Sequence, residues 1–347
     1  MVAVSKVLVA MSGGVDSSVA AAELMREGHH VVGITMRLWG GTSDTGCCSV
    51  ADVDDARRVA QQLDIDHLVF NFSDDFDRHV VQPYVAAHTS GGTPNPCVEC
   101  NRHLKFRRLA ERADVLGFDA VATGHHARVG EVDGVRYVQR GADAAKDQSY
   151  VVHMLDQRDL ARTAFPVGHL TKAAVRERAA ALGLRTASKP DSQDVCFITT
   201  TGGREAFLGE RIPFRRATLV DAAGAEVGEV ASIEMLTLGQ RRGLGLAGGG
   251  PKRYVTHVDV EAGVATVGSD ADLLRGTVAL RDHVWADRPV VGEVLVQCSA
   301  HGAAQPATVD DVGQLTWREP QRVVAPGQSV VLYDPSDRYV LGGAIAG

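Results

Sequence analysis

Residues 6–28 read KVLVAM, then SGGVDSS, then VAAAELMREG. The first six form a short buried strand, and the last ten have helical character and stop at Gly28. Between them lies Ser12-Gly13-Gly14-Val15-Asp16-Ser17-Ser18. Glycines let a backbone approach a ligand closely. Backbone N–H groups and a helix N-terminus favour an anion, and the serine hydroxyls add donors. Asp16 is the candidate for holding Mg²⁺ against phosphates. An ordinary glycine turn with an Asp/Ser helix cap needs no ligand, but seven specific residues between strand and helix favour nucleotide binding. No lysine follows the glycines, so this is not the GxxxxGK[ST] loop.

Working outward, HHVVGITM reads as a second buried strand and HLVFNF (67–72) as a third. Residues 51–63 place Val53, Ala56, Val59, Ala60 and Leu63 at helical spacing. Residues 101–116 are another helix, and DAVATGHHA (119–127) is a strand running into a loop. This alternation predicts an α/β domain, a parallel sheet with helices on both faces. The pattern changes after Cys196. Residues 201–216 are polar and basic, and from about 217 short strands alternate with Gly and Asp turns, as in small β domains. The expected organisation is a catalytic domain over 1–200, a small central β-rich domain over 201–269 and a C-terminal β-barrel-like domain over 270–347.

The chain has 347 residues, 45% hydrophobic and 23% charged, with net charge −7. These globular values exclude disorder, collagen and a pure coiled coil. Mean hydropathy is −0.05, and no apolar run reaches the roughly 18 residues of a membrane span. The N-terminus lacks the basic start and small-residue cleavage site of a signal peptide, so a cytoplasmic protein without membrane contact is expected. Six cysteines, Cys47, Cys48, Cys97, Cys100, Cys196 and Cys298, are then thiols, ligands or catalysts rather than a disulfide framework.

The segment Thr93-Pro94-Asn95-Pro96-Cys97-Val98-Glu99-Cys100-Asn101 starts stiffly, because each proline fixes its own φ and restricts its predecessor. If a helix begins there, Cys97 and Cys100 share a face. Arg102, Lys105, Arg107, Arg108 and Arg112 follow, and their field lowers a nearby thiol's pKa. No second CxxC or His pair stands at zinc-ribbon spacing, so a reactive thiol is favoured over zinc. Cys196, in Ser188–Ile198, taken alone reads as a buried cysteine of a strand VCFI.

Taken together, SGGVDSS (12–18), PNPxxxCN (94–101), TGHHA (123–127), KDQSY (146–150), DSxxxCFI (191–198) and TxGQRxGL (237–244) resemble, in order and spacing, the bacterial tRNA-specific 2-thiouridylases. That family belongs to the PP-loop ATP pyrophosphatases. The resemblance implies a PP-loop (adenine nucleotide alpha hydrolase-like) catalytic domain followed by two small, mainly β domains. It implies a tRNA-uridine 2-sulfurtransferase that adenylates the wobble uridine O2 with ATP and Mg²⁺, giving 2-thiouridine, AMP and pyrophosphate. It makes Cys196 the persulfide carrier and Cys100 the nucleophile that attacks it, leaving a transient Cys100–Cys196 disulfide.

The same resemblance puts ATP on Ala10, Met11, Ser12, Gly13, Gly14, Val15, Asp16 and Ser17, with Met36 and Gly124 near the adenine and ribose. It puts the flipped target base on Asn95, Pro96 and Cys97, and tRNA on Lys146, Asp147, Gln148, His125 and Gln328. The implied partners are tRNAs for Lys, Glu and Gln and a cysteine desulfurase or sulfur-relay protein. Cys47, Cys48 and Cys298 are read as non-catalytic.

Two residues depart from the family pattern. Cys97 stands where some members have Asp, which leaves a general-base or a redox role open. With Cys100 and Cys196 it also resembles the three-cysteine [4Fe–4S] site of related tRNA thiolases. His126 stands where the family more often has Tyr. Two rival readings are a PP-loop synthetase adenylating a small metabolite and a non-catalytic tRNA-binding or redox-sensing protein. The intact loop opposes the second, and the paired distant cysteines oppose the first.

Net charge −7 is reconciled with RNA by segregation. Residues 101–112 carry five Lys/Arg against one Glu, 204–216 four Arg against two Glu, and 239–253 four basic residues and no acid. Such clusters grip phosphates by releasing counterions. Affinity for tRNA is therefore expected to fall steeply between about 50 and 200 mM salt in a filter-binding titration, and a flat response contradicts the reading.

Overall fold

The computed structural model describes residues 4–38, 50–191, 195, 197–198, 202–246 and 250–347. Cys47, Cys48 and Cys196 lie outside the described residues.

Strand β1 (Lys6–Ala10) sends Val7 and Val9 to one face and Leu8 to the other, as a strand's two-residue period requires. Both faces are covered. Val7 and Val9 pack with α1 (Val15–Arg26) and α2 (Val50–Gln62) in one core cluster. Leu8 packs with Val32 and Ile34 of β2 (His30–Arg37), and with Phe76, Tyr84, Cys100 and Leu104, in another. β3 (His67–Asn71) pairs with β2 and is only half-buried.

The chain then turns helical. Short α3 (Ser73–Phe76), a π-helical turn and α4 (Gln82–Thr89) lead to α5 (Pro96–Cys100). A π-helical stretch over Asn101–Arg108 joins α5 to α6 (Leu109–Leu116). The helix expected over 101–116 thus starts five residues earlier, at Pro96. Proline is favoured in a first helical turn, and the Asn95 side chain accepts from the backbone N–H groups of Cys97 and Val98.

β4 (Ala120–Thr123) returns beside β1. A hairpin of β5 (Ala127–Val132) and β6 (Val135–Arg140) follows, which the sequence reading did not foresee. Then come α7 (Gln157–Leu160), β7 (Thr163–Ala164) and α8 (Lys172–Ala181). The sheet order is β3-β2-β1-β4-β7, and every pairing is parallel. Of the expected strand VCFI, the described residues Val195, Phe197 and Ile198 are not in a strand, and the Ile198 N–H donates to the Val195 carbonyl.

Beyond α9 (Gly203–Gly209) a four-stranded sheet covers Ala217–Val220, Glu226–Val230, Tyr254–Asp259 and Val264–Gly268. A seven-stranded antiparallel sheet then runs from Leu274 to Ala346. This last sheet does not hang free. Its Val331, Tyr333 and Val340 share a core with Val98, Phe106, Tyr150 and Phe165 of the first domain. Among the described residues no helix is long and apolar enough to cross a membrane.

Leu8 is fully buried in the central strand. Leu8→Ala is expected to cost about 2–5 kcal/mol through lost transfer energy and a cavity. Urea denaturation checks this as a lower midpoint.

Candidate active site

In an open α/β sheet, ligands bind outside the strand C-termini where the strand order reverses. Here that point lies between β1 and β4. Ser12–Asp16 leaves the end of β1, and Gly124–His126 leaves the end of β4. Two sequence motifs 110 residues apart therefore meet in one crevice.

The loop after β1 is closed by its own hydroxyls. Ser18 Oγ donates to the Gly14 carbonyl at 2.8 Å, and Ser17 Oγ accepts from the Ser12 N–H at 3.2 Å. Gly13 has φ +70°, and a Cβ there would lie 2.3 Å from the Asp52 carbonyl oxygen. A Cβ on Gly124 would lie 2.6 Å from the Ser17 nitrogen. Gly124 is thus where β4 abuts the first turn of α1. Met11 and Met36 are both buried, Met36 near the end of β2.

The charges around this loop come from far along the chain. Lys172 Nζ lies 2.8 and 2.7 Å from the two carboxylate oxygens of Asp16, and 2.8 Å from Asp191 Oδ1. The buried His126 places Nε2 3.1 Å from Asp16 Oδ1. Asp191 also takes Lys146 and Arg176, each at 2.9 Å. Lys189 Nζ reaches the Gly13 carbonyl at 3.0 Å, Asp52 at 2.6 Å and Asp55 at 2.8 Å, bracing the loop against α2.

Burial alone would raise the pKa of Asp16, but hydrogen bonds from His126 and Lys172 outweigh it and hold the carboxyl low. The same balance, with Lys146 and Lys172, takes Asp191 down to about 2. One loop carboxylate is the usual protein share of a Mg²⁺ site on a nucleotide, since phosphates and water supply the rest, so Asp16 fits that role. Of these residues the sequence reading named Asp16 and Lys146 as site residues. It made no functional claim for His126 and missed Lys172, Lys189 and Asp191 as parts of the loop.

The residues expected to touch tRNA are placed unevenly. The His125 ring is interior rather than at a surface. Its Nδ1 is 2.7 Å from Thr123 Oγ1, the ring packs between Phe106 and Phe165, and burial holds its pKa well below the ordinary histidine value. The Asp147 carboxylate is consumed locally by the Gly141 N–H, Ser149 Oγ and Arg140. Gln148 Oε1 accepts the His126 backbone N–H at 2.9 Å. Lys146 is paired with Asp191, yet its side chain is 41% exposed.

Gln328 is half-buried in a turn whose Pro326 carbonyl accepts the Thr93 N–H at 2.8 Å. Tyr150 is fully buried, with its hydroxyl donating to the Ser329 carbonyl, and its side chain also meets Asn95. The C-terminal sheet therefore holds the start of the Asn95–Cys100 segment from outside the first domain.

Cys97 and Cys100 do not share an environment, although they lie three apart on one helix. Cys97 is exposed, and Cys100 is buried in the core cluster of β1's Leu8 face. Phe197 belongs to that cluster, and Val195 and Ile198 pack against it. Both chain neighbours of Cys196 thus sit on the same core as Cys100. Glu99, between the two helical thiols, pairs with His103 at 3.2 Å. Burial pushes the Cys298 thiol up to about 12, which leaves it inert. Among the described residues no group of three His, Cys, Asp or Glu is arranged to hold a metal ion.

A parallel sheet with a glycine-serine loop at its switch point and two appended β units defines a PP-loop α/β protein. Family models match in the same order: the tRNA methyl transferase HUP domain over residues 5–200, the tRNA methyl transferase PRC-barrel domain over 205–269, and the aminomethyltransferase beta-barrel domain over 277–346. Curated relatives described as tRNA-specific 2-thiouridylase MnmA align end to end. The protein from Chloroflexus aurantiacus is 45% identical over 98% of this chain and 97% of its own length. That from Mycolicibacterium gilvum is 46% identical over 98% of each. The chain belongs to the tRNA-specific 2-thiouridylase family. A solved U34-tRNA thiolase, NcsA from Methanococcus maripaludis, shown with its [4Fe-4S] cluster, is 19% identical over 59% of this chain and 63% of its own, with TM-score 0.36. That likeness is too low to carry an argument.

Because the folded pKa of Asp191 is depressed, its ion cluster stabilises fully above the ordinary aspartate value of 3.8 and is lost as pH falls towards about 2. Asp191→Asn should lower Tm at neutral pH, with the gap to the wild type closing across that acid window. A gap independent of pH contradicts the assignment.

Proposed function

We propose that this chain makes 2-thiouridine at the wobble position of tRNA by adenylation followed by persulfide sulfur transfer. End-to-end membership of the 2-thiouridylase family carries the reading. The crevice between β1 and β4 supports it, since it gathers the loop and Gly124 where a nucleotide is expected.

ATP occupies Ala10–Ser17, with its adenosine towards Met36 and Gly124. Bound Mg²⁺, held by Asp16, would neutralise phosphate charge. The uridine O2 attacks the α-phosphorus; the bond to the β-phosphate oxygen breaks and pyrophosphate leaves. The target base, flipped out of its stack, is taken by Asn95, Pro96 and Cys97. Cys196 carries the sulfur as a persulfide loaded by a cysteine desulfurase or relay protein. The Cys100 thiolate attacks Cys196 Sγ and forms a disulfide, expelling sulfide. Sulfide adds to C2, the C2–O2 bond breaks and AMP departs. A dithiol reductant resets the cysteines. Burial of Cys100 on the core shared by Val195 and Phe197 supports this pairing.

The basic runs of residues 101–112, 204–216 and 239–253 supply phosphate contacts from the first and central domains, with the tRNAs for Lys, Glu and Gln as substrates. In this reading Lys146 and Gln328 contact the RNA.

An anaerobic single-turnover assay with ATP, Mg²⁺, unmodified tRNA, a cysteine desulfurase and cysteine tests the reading by mass spectrometry of the nucleosides. Iron-free wild type is expected to yield 2-thiouridine, and Cys100→Ser and Cys196→Ser to yield none. Product that tracks iron content and vanishes in Cys97→Ser would replace the persulfide route by a cluster route. No product in any sample overturns the proposal.

A further inference from the structure

We propose that Lys172 is the phosphate-binding lysine that the Ser12–Ser18 loop lacks in its own sequence, contacting the pyrophosphate portion of ATP. This rests on the nucleotide site proposed above.

A loop that must hold a polyphosphate gains from a fixed ammonium, which binds phosphate as a point charge. Lys172 is delivered to the loop from 156 residues away. Its position does not depend on its own charge. It opens α8 behind Thr171, whose hydroxyl accepts the Ala174 N–H at 3.2 Å, and its backbone N–H donates to Asp143 at 2.9 Å. The side chain is 12% exposed, so its head group is held inside the crevice.

The partners of Nζ are what distinguish it. Asp16 also has His126, and Asp191 also has Lys146 and Arg176. Lys172 can therefore turn to another acceptor without leaving either carboxylate buried and unpaired, which is the costly outcome. A phosphate oxygen is the same kind of acceptor as the carboxylate oxygen it replaces. Lys189 has no such freedom, since Asp52, Asp55 and the Gly13 carbonyl all rest on it and it serves as the loop's brace.

Calorimetric titration of the full chain with Mg²⁺-ATP, Mg²⁺-pyrophosphate and AMP tests the assignment in wild type, Lys172→Met and Lys172→Gln. Removing a charge-assisted contact is expected to weaken pyrophosphate and ATP by about 10- to 100-fold and AMP by less than about twofold. A melting series reads the same contact, with pyrophosphate raising Tm of the wild type and not of either variant.

Unchanged ATP and pyrophosphate affinity overturns the proposal. So does equal weakening of AMP and ATP, because that marks a loop disturbed by a bare Asp16. Failure of the wild type to bind either phosphate ligand overturns it as well. Lysine-dependent nucleotide binding without any thiolated tRNA would refute the thiolation reading alone, and thiolation by a variant with wild-type ATP affinity would refute Lys172 alone.

Discussion

The structure turns on one electrostatic conflict. A loop built to receive an anion carries its own carboxylate, Asp16, in the same space. Fixed N–H groups and the N-terminus of α1 favour negative charge there, so Asp16 is welcome while no ligand is bound and repels one that arrives. The fold answers by surrounding the carboxylate with basic side chains. Lys172 and His126 hold Asp16, Asp191 holds Lys172 in turn, and Lys146 and Arg176 complete the set. The segments that follow β1, β4 and β7 each contribute to this balance.

That arrangement explains which parts of the site were legible in the amino-acid sequence. Alternation in residues 6–10, helical spacing in 51–63 and the change of pattern after Cys196 read out the parallel sheet and the β-rich remainder, because each depends on neighbours within a few positions. The Ser12–Ser18 loop was legible for the same reason. Lys172, Lys189 and Asp191 were not, since nothing local marks a lysine that will reach a carboxylate 134 to 156 positions away. Only the sheet order brings them together.

The polar side chains that turn inward follow one physical pattern. Asp147 and Gln148 look like a solvated polar loop, yet their side chains satisfy backbone N–H groups that would otherwise be stranded at Gly141 and His126. His125 and His126 are adjacent, and composition cannot tell which ring turns inward to Phe106 and which approaches Asp16. The structure sends them to separate partners, and both rings are buried. Cys97 and Cys100 show the same limit. Helical spacing put them on one face, but the core closes over only the second.

The shared core of Val98, Phe106, Tyr150, Val331 and Tyr333 has a consequence for modularity. The C-terminal sheet is distant in sequence from the nucleotide crevice and matches a family model of its own, which invites treating it as a detachable RNA grip. Its apolar face is instead part of the wall behind Asn95–Cys100, and its turn at Pro326 anchors Thr93. The chain's two ends therefore form one cooperative unit. A gene rearrangement that separated them would leave the catalytic half with a raw hydrophobic seam where Val98, Phe106 and Tyr150 now meet the sheet.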